Sequence, residues 1–575
     1  MIQVRYRFWL TNPYFDEDTR SEVAAINDEK EIEDRFYTDL EFGTGGLRGV
    51  LGAGTNRMNI YVIRKATQGL ADLILEGEEA GKNRGVVIAY DSRRFSDRFA
   101  KEAALVLAGN GIKAYLFDDL RPTPELSFAV RHLKAQAGLV ITASHNPKEY
   151  NGYKVYWEDG GQVPPDRADR ILAHIKAHQA WDDILPLEEA EARDKGLLVE
   201  IGEEIDAVYL SKVKELALYP ELSRAKGSNL SIVYTPLHGA GNVLVNRILT
   251  EMGYSIFTVP EQEKPDPEFT TVPYPNPEIP STFDLARSYG KARNAQMLIA
   301  TDPDADRLGM ALRTPQGDYR QLTGNQVGTL LSYYLLTQKK RLGILPEQAV
   351  VIKTIASTDL ADLLVKDLGA RVENVLTGFK FIAEKEQEME VQGSGDFQFG
   401  FEESYGYLAG HFVRDKDAVI ASLLLAEAAL YYQEKEGRSL LEVLEDIYGK
   451  YGYFIDDQIS ITLEGKAGKE QMEKMMVKLR ETDVKSFGGI AVACIDDYEL
   501  RKGRRMIAPF HSYDLALPQS NVIRYSFQGG GFVMARPSGT EPKIKFYFNI
   551  RGVDPQQLQA TLENVKKDLL ELIKD

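Results

Sequence analysis

Three segments of this chain repeat one secondary-structure pattern, and this repeat constrains the fold more than any other sequence feature. Each copy has a short Val/Ile-rich strand, a polar loop, an amphipathic helix that ends at a glycine, and a second strand. The copies span residues 85–120, 230–259 and 349–375, and their helices end at Gly111, Gly253 and Gly369. A repeat of this kind predicts three related α/β domains.

Each copy is followed by one further apolar strand that runs into a polar loop. The three stretches read AGLVITASHNP, QMLIATDPDADR and FQFGFEESYG. Ligand sites in open α/β sheets lie outside the carboxyl ends of the strands, so the loops are expected at equivalent, functional positions. Ser144, in the first loop, is the candidate nucleophile. Taken alone, that loop is more typical of an ordinary turn made of Ser, Asn and Pro than of a catalytic site.

Length and pattern predict four domains. At 575 residues the chain exceeds a single core, since domains average about 150 residues. We expect domain I with a helical N-terminal extension at 1–205, domain II at 206–315, domain III at 316–455 and domain IV at 456–575. The last stretch combines strands with a final amphipathic helix from Pro555 to Lys574, which predicts an α+β domain.

Charge and composition restrict the partners. A net charge of −17 argues against a general nucleic-acid or membrane binder, which needs a basic face. A small-molecule partner is expected, and the oligomeric state is left open. No segment is apolar for long enough to be a signal peptide or a membrane span, which predicts a cytoplasmic location. The single cysteine, Cys494, permits no internal disulfide, and nucleotide-binding fingerprints are absent.

The loop TDPDADR places Asp302, Asp304 and Asp306 at every second position. Pro303 disfavours helix, so an extended or looped backbone would point the three carboxylates to one side. Such acids repel one another unless a cation lies between them, and oxygen ligands without His or Cys suit Mg²⁺. An EF-hand is disfavoured because its sixth position would be Arg307 rather than Gly. A solvated acidic turn remains the alternative.

Two further loops have the chemistry of sugar-phosphate recognition. The stretch RPSGTEPKIK gathers a guanidinium, hydroxyls and backbone N–H groups around a glycine, as a phosphate dianion requires. In GFEESYG, Glu402 and Ser404 lie two apart and could hydrogen-bond vicinal sugar hydroxyls. For either loop, an ordinary exposed turn is the alternative.

Taken together, TASHNP with NGYK, DPDADR, GFEES and RPSGTEPK resemble the α-D-phosphohexomutase superfamily in number and order. The resemblance extends from Gly43 to the C-terminus, and GTGGLRGVLGAGTNRMN with GFEESYGY looks most like its bacterial α-phosphoglucomutase branch. The superfamily implies three related α/β domains and a fourth, TATA-binding-protein-like α+β domain, arranged around a central cleft.

The resemblance also implies roles for single residues. Ser144 would carry the phosphoryl group, and Asp302, Asp304 and Asp306 would bind Mg²⁺ together with an oxygen of that phosphoserine. Arg48 and Lys154 would lie beside the transferred phosphoryl group. Apart from the resemblance, His145 is expected to assist because it lies in the same loop as Ser144. The implied substrate-binding residues are Thr377, Gly378, Lys380, Glu402, Ser404, Lys416, Arg536, Ser538, Gly539, Thr540 and Lys543.

The expected activity is that of an α-phosphoglucomutase, an isomerase that interconverts glucose 1-phosphate and glucose 6-phosphate through glucose 1,6-bisphosphate. Phe401, where many glucose-specific members have Gly, leaves open phosphomannomutase or phosphopentomutase activity. A Ser/metal phosphatase and a silent sugar-phosphate binder are more distant alternatives. Thr142 and Asn146 replace the flanking glycines of a hydrolase elbow, which disfavours an esterase.

Overall fold

The computed structural model describes residues 1–43, 46–178, 180–463, 465–538 and 543–574. The chain forms two compact units. The first unit contains Met1–Leu322 and Gly406–Tyr431, and the second contains Thr323–Tyr405 and Tyr432–Asp575. The chain therefore leaves the second unit at Gly406, contributes one segment to the first unit, and then returns.

The first unit combines helices with two sheets. Its helices are α1 (Ile2–Thr11), α2 (Glu17–Ala24), α3 (Glu29–Phe36), α4 (Ile60–Leu75), α5 (Glu78–Arg84), α6 (Ser96–Gly109), α7 (Thr123–His132), α8 (Pro165–Ala177), α9 (Glu189–Asp194), α10 (Glu203–Lys214), α11 (Pro220–Lys226), α12 (Gly241–Glu251), α13 (Pro260–Glu263), α14 (Asp284–Arg293) and α18 (Ala418–Tyr431). Its strands are β1 (Gly46–Val50), β2 (Val86–Tyr90), β3 (Ala114–Phe117), β4 (Ala137–Ile141), β5 (Tyr150–Trp157), β6 (Leu198–Ile201), β7 (Ser231–Thr235), β8 (Ser255–Thr258), β9 (Met297–Thr301), β10 (Leu308–Arg313), β11 (Tyr319–Gln321) and β15 (Gly406–Leu408).

The second unit has the same two kinds of element. Its helices are α15 (Gly324–Leu342), α16 (Leu360–Asp367), α17 (Phe379–Gln392), α19 (Leu440–Tyr451), α20 (Gly465–Glu481) and α21 (Pro555–Ile573). Its strands are β12 (Ala349–Thr354), β13 (Arg371–Val375), β14 (Asp396–Glu402), β16 (Tyr453–Thr462), β17 (Ser486–Phe487), β18 (Ile490–Asp497), β19 (Lys502–Arg505), β20 (Ser512–Asp514), β21 (Ile523–Phe527), β22 (Gly531–Pro537) and β23 (Lys543–Gly552).

The strand order shows the threefold repeat directly. In every copy the first strand lies between the second and the third and runs parallel to both, in the orders β3-β2-β4, β8-β7-β9 and β13-β12-β14. Gly111, Gly253 and Gly369 have φ values of 72°, 94° and 89°, a backbone region that glycine adopts without strain. The predicted α/β repeat is confirmed, and its polar loops begin where the third strands end.

Burial explains why the repeat forms parallel sheets. All five residues of β4 and of β9 are buried, as expected for strands covered on both faces. The larger sheets add further strands at their edges, in the orders β1-β5-β4-β2-β3-β6 and β11-β10-β9-β7-β8. The antiparallel pairing of β1 with β5 brings the glycine-rich stretch around Arg48 next to the first polar loop.

The C-terminal part is a sheet of a different kind, in the order β16-β23-β22-β21-β18-β19-β20 with β17 on β18. Strand β21 alternates buried and half-buried residues, so one face of the sheet packs on the core. Helix α21 covers that face with side chains spaced three or four apart, which are Leu558, Leu562, Val565, Leu569 and Ile573. This sheet-rich domain completes the four-domain architecture.

The N-terminal helices pack on the first unit through aromatic rings. Trp9 is fully buried, stacks on Phe15 at 4.3 Å and meets Tyr61 and Trp181 edge-on. Such a cluster buries a large apolar area, so the extension is part of the core. Helix α18 is buried along its whole length. Within the described ranges, no helix combines the length and the apolar character that crossing a bilayer would take.

Candidate active site

Ser144 lies at the centre of the first polar loop, three residues after the end of β4. Its backbone φ is 52°, in the left-handed region that non-glycine residues rarely adopt, and its side chain is buried. The Ser144 hydroxyl donates a hydrogen bond of 2.8 Å to Oδ2 of Asp302. Nδ1 of His145 lies 3.1 Å from the same oxygen. The structure therefore brings Ser144 and His145 to the acidic loop.

The acidic loop follows β9 and holds Asp302, Asp304 and Asp306 in a buried cluster, with one carboxylate oxygen of each within 4.8 Å of the others. Burial and the neighbouring carboxylates of Asp304 and Asp306 raise the pKa of Asp302 well above its ordinary value. Among the described residues, the Oδ1 atoms of Asp304 and Asp306 are buried without a hydrogen-bond partner. Buried carboxylate oxygens left in this way fit a metal cation.

Two lysines neutralise part of the acidic cluster. Nζ of Lys154 lies 2.8 Å from Oδ2 of Asp304 and 3.5 Å from Oδ2 of Asp306, and Nζ of Lys416 lies 2.8 Å from Oδ2 of Asp306. Burial alone would raise the pKa of Asp304, but Lys154 and Lys416 outweigh it and lower that pKa. The cluster is thus a compensated set of charges.

The same contacts determine the charge of Lys154. Burial alone would lower the pKa of Lys154, but Asp304 and Asp306 outweigh burial and raise it. Lys154 is therefore held as an ammonium ion. A general base needs the opposite shift, so electrostatic stabilisation is the role that this geometry favours for Lys154.

Strand pairing places Arg48 beside the nucleophile loop. In the antiparallel pair of β1 and β5, Arg48 is opposite Gly152 and Gly46 is opposite Lys154. Nη1 of Arg48 donates to Oδ1 of Asn146 at 3.2 Å, within the same loop as Ser144. The two expected basic residues thus approach Ser144 from neighbouring strands.

Lys416 reaches the acidic loop because the chain returns from the second unit to the first. Asp417, the next residue, accepts from the backbone N–H of Ile420 at 2.9 Å in the first turn of α18. The backbone N–H of Ala418 donates to the carbonyl oxygen of Ala305 at 3.2 Å. This hydrogen bond fixes the start of α18 against the acidic loop. Lys416 was expected among the substrate-binding residues, and the structure places it on Asp306.

The expected sugar loops lie in the second unit. Glu402, the last residue of β14, is buried and Ser404 is half-buried. Between these two residues, Oε2 of Glu403 accepts a hydrogen bond of 2.7 Å from the Thr354 hydroxyl, which holds the turn in place. Thr377 Oγ1 is buried without a hydrogen-bond partner among the described residues. Its position beside the start of α17 suits a sugar hydroxyl.

The expected phosphate loop joins β22 to β23. In the antiparallel pair of β22 and β23, Arg536 lies opposite Lys545. The backbone N–H of Ser538 donates to the carbonyl oxygen of Lys543 at 2.8 Å. Burial lowers the pKa of Lys380, the second residue of α17, while Glu384 opposes this shift and the positive charge of Arg536 adds to it. Lys380 and Arg536, two of the predicted cations, therefore lie within electrostatic range of each other in the second unit. Gly539 and Thr540 fall outside the described residues.

Three residues near Ser144 and the acidic loop were not predicted from the sequence. Asp91 and Arg93 lie in the loop after β2 and hold the backbone around Ser144. Thr123 donates from its hydroxyl to Oδ2 of Asp304 at 3.0 Å. The signal was available for the first pair, because β2 ends at the same edge of the sheet as β4. For Thr123 we find no sequence signal.

Comparison with known proteins identifies the family. Three family models match, described as phosphoglucomutase/phosphomannomutase, alpha/beta/alpha domains I, II and III, at residues 39–181, 207–317 and 323–451. The chain belongs to the phosphoglucomutase/phosphomannomutase family. A phosphoglucomutase of Staphylococcus saprophyticus is 38% identical over 565 residues, which cover 97% of this chain and 99% of the relative. The predicted superfamily, the isomerase activity and the phosphoglucomutase function are thereby confirmed.

Solved structures support the fold of this family member. A phosphoglucomutase/phosphomannomutase family protein from Burkholderia thailandensis superposes with a TM-score of 0.66 at 16% identity, covering 92% of this chain and 97% of that one. The Paramecium phosphoglucomutase pp63/parafusin gives 0.67 at 18% identity, covering 93% and 95%. The four-domain α/β architecture is confirmed.

Proposed function

We propose that this family member is an α-phosphoglucomutase that interconverts glucose 1-phosphate and glucose 6-phosphate in the cytoplasm, with Ser144 as the phosphoryl carrier. The observation that carries the proposal is the hydrogen bond of 2.8 Å between the Ser144 hydroxyl and Asp302, inside a buried acidic cluster lined by cations. A sugar-phosphate binder without catalytic activity would have no use for a nucleophile in that place.

The reaction would proceed in two transfers. In the first, the bond between phosphorus and Ser144 Oγ breaks while a bond forms to a hydroxyl oxygen of the hexose monophosphate. The hydroxyl loses its proton, Ser144 regains one, and glucose 1,6-bisphosphate results. The bisphosphate then turns around and returns its other phosphoryl group to Ser144. Both phosphates must therefore fit the same distal site.

The side chains around Ser144 would each have one task. Arg48 and the Lys154 ammonium would stabilise negative charge on the phosphoryl oxygens. His145, 3.1 Å from Ser144 Oγ, would hold or deliver the proton that Ser144 exchanges. Lys416 would hold the Asp306 carboxylate in place through their contact of 2.8 Å.

We propose Mg²⁺ as the cation of Asp302, Asp304 and Asp306, with an oxygen of phospho-Ser144 as a further ligand, because hard oxygen ligands suit this ion. When bound, it would offset negative charge on the transferred phosphoryl group. Within the part of the chain that the structure describes, the Oδ1 atoms of Asp304 and Asp306 accept no hydrogen bond, which supports this fit.

In the second unit, we propose that Thr377, Gly378, Lys380, Glu402 and Ser404 recognise the sugar. For the distal phosphate we propose Arg536, Ser538, Gly539, Thr540 and Lys543. The functional domains would be 1–205, 206–315, 316–455 and 456–575. Proximity of Lys380 to Arg536 supports an anion site in this unit.

The test is ³¹P NMR of the protein with glucose 1-phosphate, Mg²⁺ and a trace of glucose 1,6-bisphosphate, beside the Ser144→Ala variant. We expect conversion to glucose 6-phosphate that the variant abolishes. Accumulation of inorganic phosphate without isomerisation would indicate a phosphatase instead. If mannose or pentose phosphates are converted faster in a parallel comparison, one of them, rather than glucose phosphate, is the preferred substrate.

A further inference from the structure

The backbone of Ser144 is held on both sides by residues that follow a different strand. Its own φ of 52° lies where non-glycine side chains crowd the backbone, and such a conformation persists only when the surroundings impose it. The hydroxyl that must attack or leave is therefore aimed by a loop under constraint. The question is which groups supply that constraint.

On the N–H side, a relay of hydrogen bonds runs from Asp91 to Ser144. The hydroxyl of Thr142 donates to Oδ2 of Asp91 at 2.6 Å and accepts from the backbone N–H of Ser144 at 2.8 Å. The other oxygen of Asp91 accepts from the N–H of Arg93 at 2.9 Å and from the hydroxyl of Ser96 at 2.8 Å. Asp91 is thus fixed within its own loop.

On the carbonyl side, one buried guanidinium binds the rest of the loop. Nη2 of Arg93 donates to the carbonyl oxygens of Ser144 and Asn146. Nη1 donates to those of Pro147 and Tyr150 at 2.9 and 3.2 Å. Nε lies 3.3 Å from Oδ2 of Asp91, an ion pair in which neither side chain is exposed.

Asp91, Thr142 and Arg93 form a clamp around the backbone of Ser144. The position of Arg93 in this clamp requires arginine. Four carbonyl oxygens accept from Nη1 and Nη2, and the Asp91 carboxylate lies beside Nε as an ion pair, an arrangement that suits a planar guanidinium. A lysine could neutralise Asp91 but has only three donors on one atom. The ion pair is buried, so breaking it would also leave a charge unpaired, whereas exchanging Arg for Lys would not.

We infer that Asp91, Thr142 and Arg93 are positioning residues for the nucleophile. They hold the backbone of Ser144 in its left-handed conformation and so direct Oγ towards Asp302. None of the three contacts the Ser144 hydroxyl in the structure, so they act through the backbone. The inference rests on Ser144 being the phosphoryl carrier, and it assigns a function to the DSR stretch after β2.

The position of the clamp predicts a specific kinetic signature. Among the described residues, the side chains of Arg93 and Thr142 make no hydrogen bond to Asp302, Asp304 or Asp306, so cation affinity and KM should stay close to those of the parent protein. The transfer step should slow, because a displacement of about 1 Å in a reacting group costs about 10²-fold in rate. A role in stability alone would lower the amount of folded enzyme and leave kcat per folded molecule unchanged.

The experiment measures kcat, KM and Mg²⁺ affinity for Arg93→Lys, with Arg64→Lys as the matched control. Arg64 forms a similar half-buried pair with Glu102 at 2.5 Å, away from the nucleophile loop. We expect kcat of Arg93→Lys to fall by about 10²-fold with KM and Mg²⁺ affinity within about threefold, and the control to keep its kcat. An Arg93→Lys kcat within twofold of the parent, per folded molecule, would overturn the inference.

Two milder variants at Thr142 keep the test decisive if Arg93→Lys does not fold. Thr142→Val removes the relay hydroxyl at nearly constant volume, and Thr142→Ser retains it. We expect a kcat loss of about tenfold in the valine variant, which loses both the hydrogen bond to the Asp91 carboxylate and the one from the Ser144 N–H, and recovery in the serine variant. Equal kcat in the two variants would contradict the positioning role.

The two proposals fail in different ways. A parent protein that does not convert glucose 1-phosphate would contradict the proposed function. Labelling of Ser144 by glucose 1,6-bisphosphate would then be compared between the parent and the same variants. Slower labelling in Arg93→Lys and Thr142→Val would still support the clamp, and equal labelling would overturn it.

Discussion

The proposed transfer site of the first unit and the proposed recognition loops of the second unit differ in how their charges are arranged. Around Ser144, acids and bases are paired: Lys154 contacts Asp304 and Asp306, and Lys416 contacts Asp306, at distances down to 2.8 Å. In the second unit, Lys380 and Arg536 lie within electrostatic range of each other: burial lowers the pKa of Lys380, Glu384 opposes the shift and Arg536 adds to it. Compensated charges can be preorganised before a substrate arrives. Like charges placed together favour an anionic ligand.

This contrast predicts that transfer-site substitutions change kcat and that recognition-loop substitutions change KM. The largest effect is expected for Asp304→Asn. It removes the charge that Lys154 faces, and losing one preorganised electrostatic group costs about 10²- to 10³-fold in kcat. Steady-state kinetics with a Mg²⁺ titration checks it. The exposed Asp318→Asn is the control, and full activity of Asp304→Asn at ordinary Mg²⁺ would break the comparison.

The next effect concerns the second unit. For Arg536→Met we expect kcat/KM to fall by about 10- to 100-fold, mostly through KM, because charge-assisted hydrogen bonds contribute about 1.5–3 kcal/mol. Arg536→Lys should recover part of the loss, because it retains the charge without the fork geometry. Initial rates over a range of glucose 1-phosphate concentrations measure both. A loss confined to kcat would mean that this loop takes part in transfer.

A smaller effect is expected at Thr377, whose buried hydroxyl is unpartnered among the described residues. Thr377→Val should reduce kcat/KM by about three- to tenfold, the value of one neutral hydrogen bond to a sugar hydroxyl. Thr377→Ser retains the hydroxyl and should behave as the parent. If the valine variant binds the sugar phosphate as well as the serine variant, the hydroxyl does not contact the substrate.

The smallest effect on activity is expected for Asp456→Asn, which should alter stability instead. Burial raises the pKa of Asp456 from 3.8 to about 7, while Asn549 and Asn325 oppose the shift. The folded state therefore keeps a proton that the unfolded chain releases, and this carboxyl makes the protein less stable as pH rises from about 4 to about 7.

Asp456→Asn removes this titration. Denaturant unfolding at several pH values should show that the variant loses less stability than the parent between pH 5 and 7, by up to about 1.4 kcal/mol per pH unit. Parallel pH profiles for the two proteins would show that Asp456 does not hold the proton.

The sequence predicted the parts of this site that follow from local pattern. Val/Ile-rich strands, glycine-terminated helices and polar loops after the third strands were sufficient to predict the repeat, Ser144 and the three aspartates. The contacts of Asp91 and Arg93 depend instead on strand order. Because β4 lies beside β2, these two residues reach a loop about fifty residues further along the chain. Pattern alone does not reveal which carbonyl oxygens a buried arginine will bind.

Long-range electrostatics was also beyond local pattern. A general base at Lys154 would need a lowered pKa, and the structure raises it because Asp304 and Asp306 face the ammonium. Lys416 lies in a segment that leaves one unit and joins the other, and that change of unit has no local sequence signature.

The most direct test of the account is to identify the residue that carries the phosphoryl group. The protein would be incubated with glucose 1,6-bisphosphate labelled on phosphate, digested, and mapped by peptide mass spectrometry. The account predicts one phosphate, on Ser144, that chases into hexose phosphate when glucose 1-phosphate is added. A phosphate on any other residue, or a protein that turns over without being labelled, would contradict it.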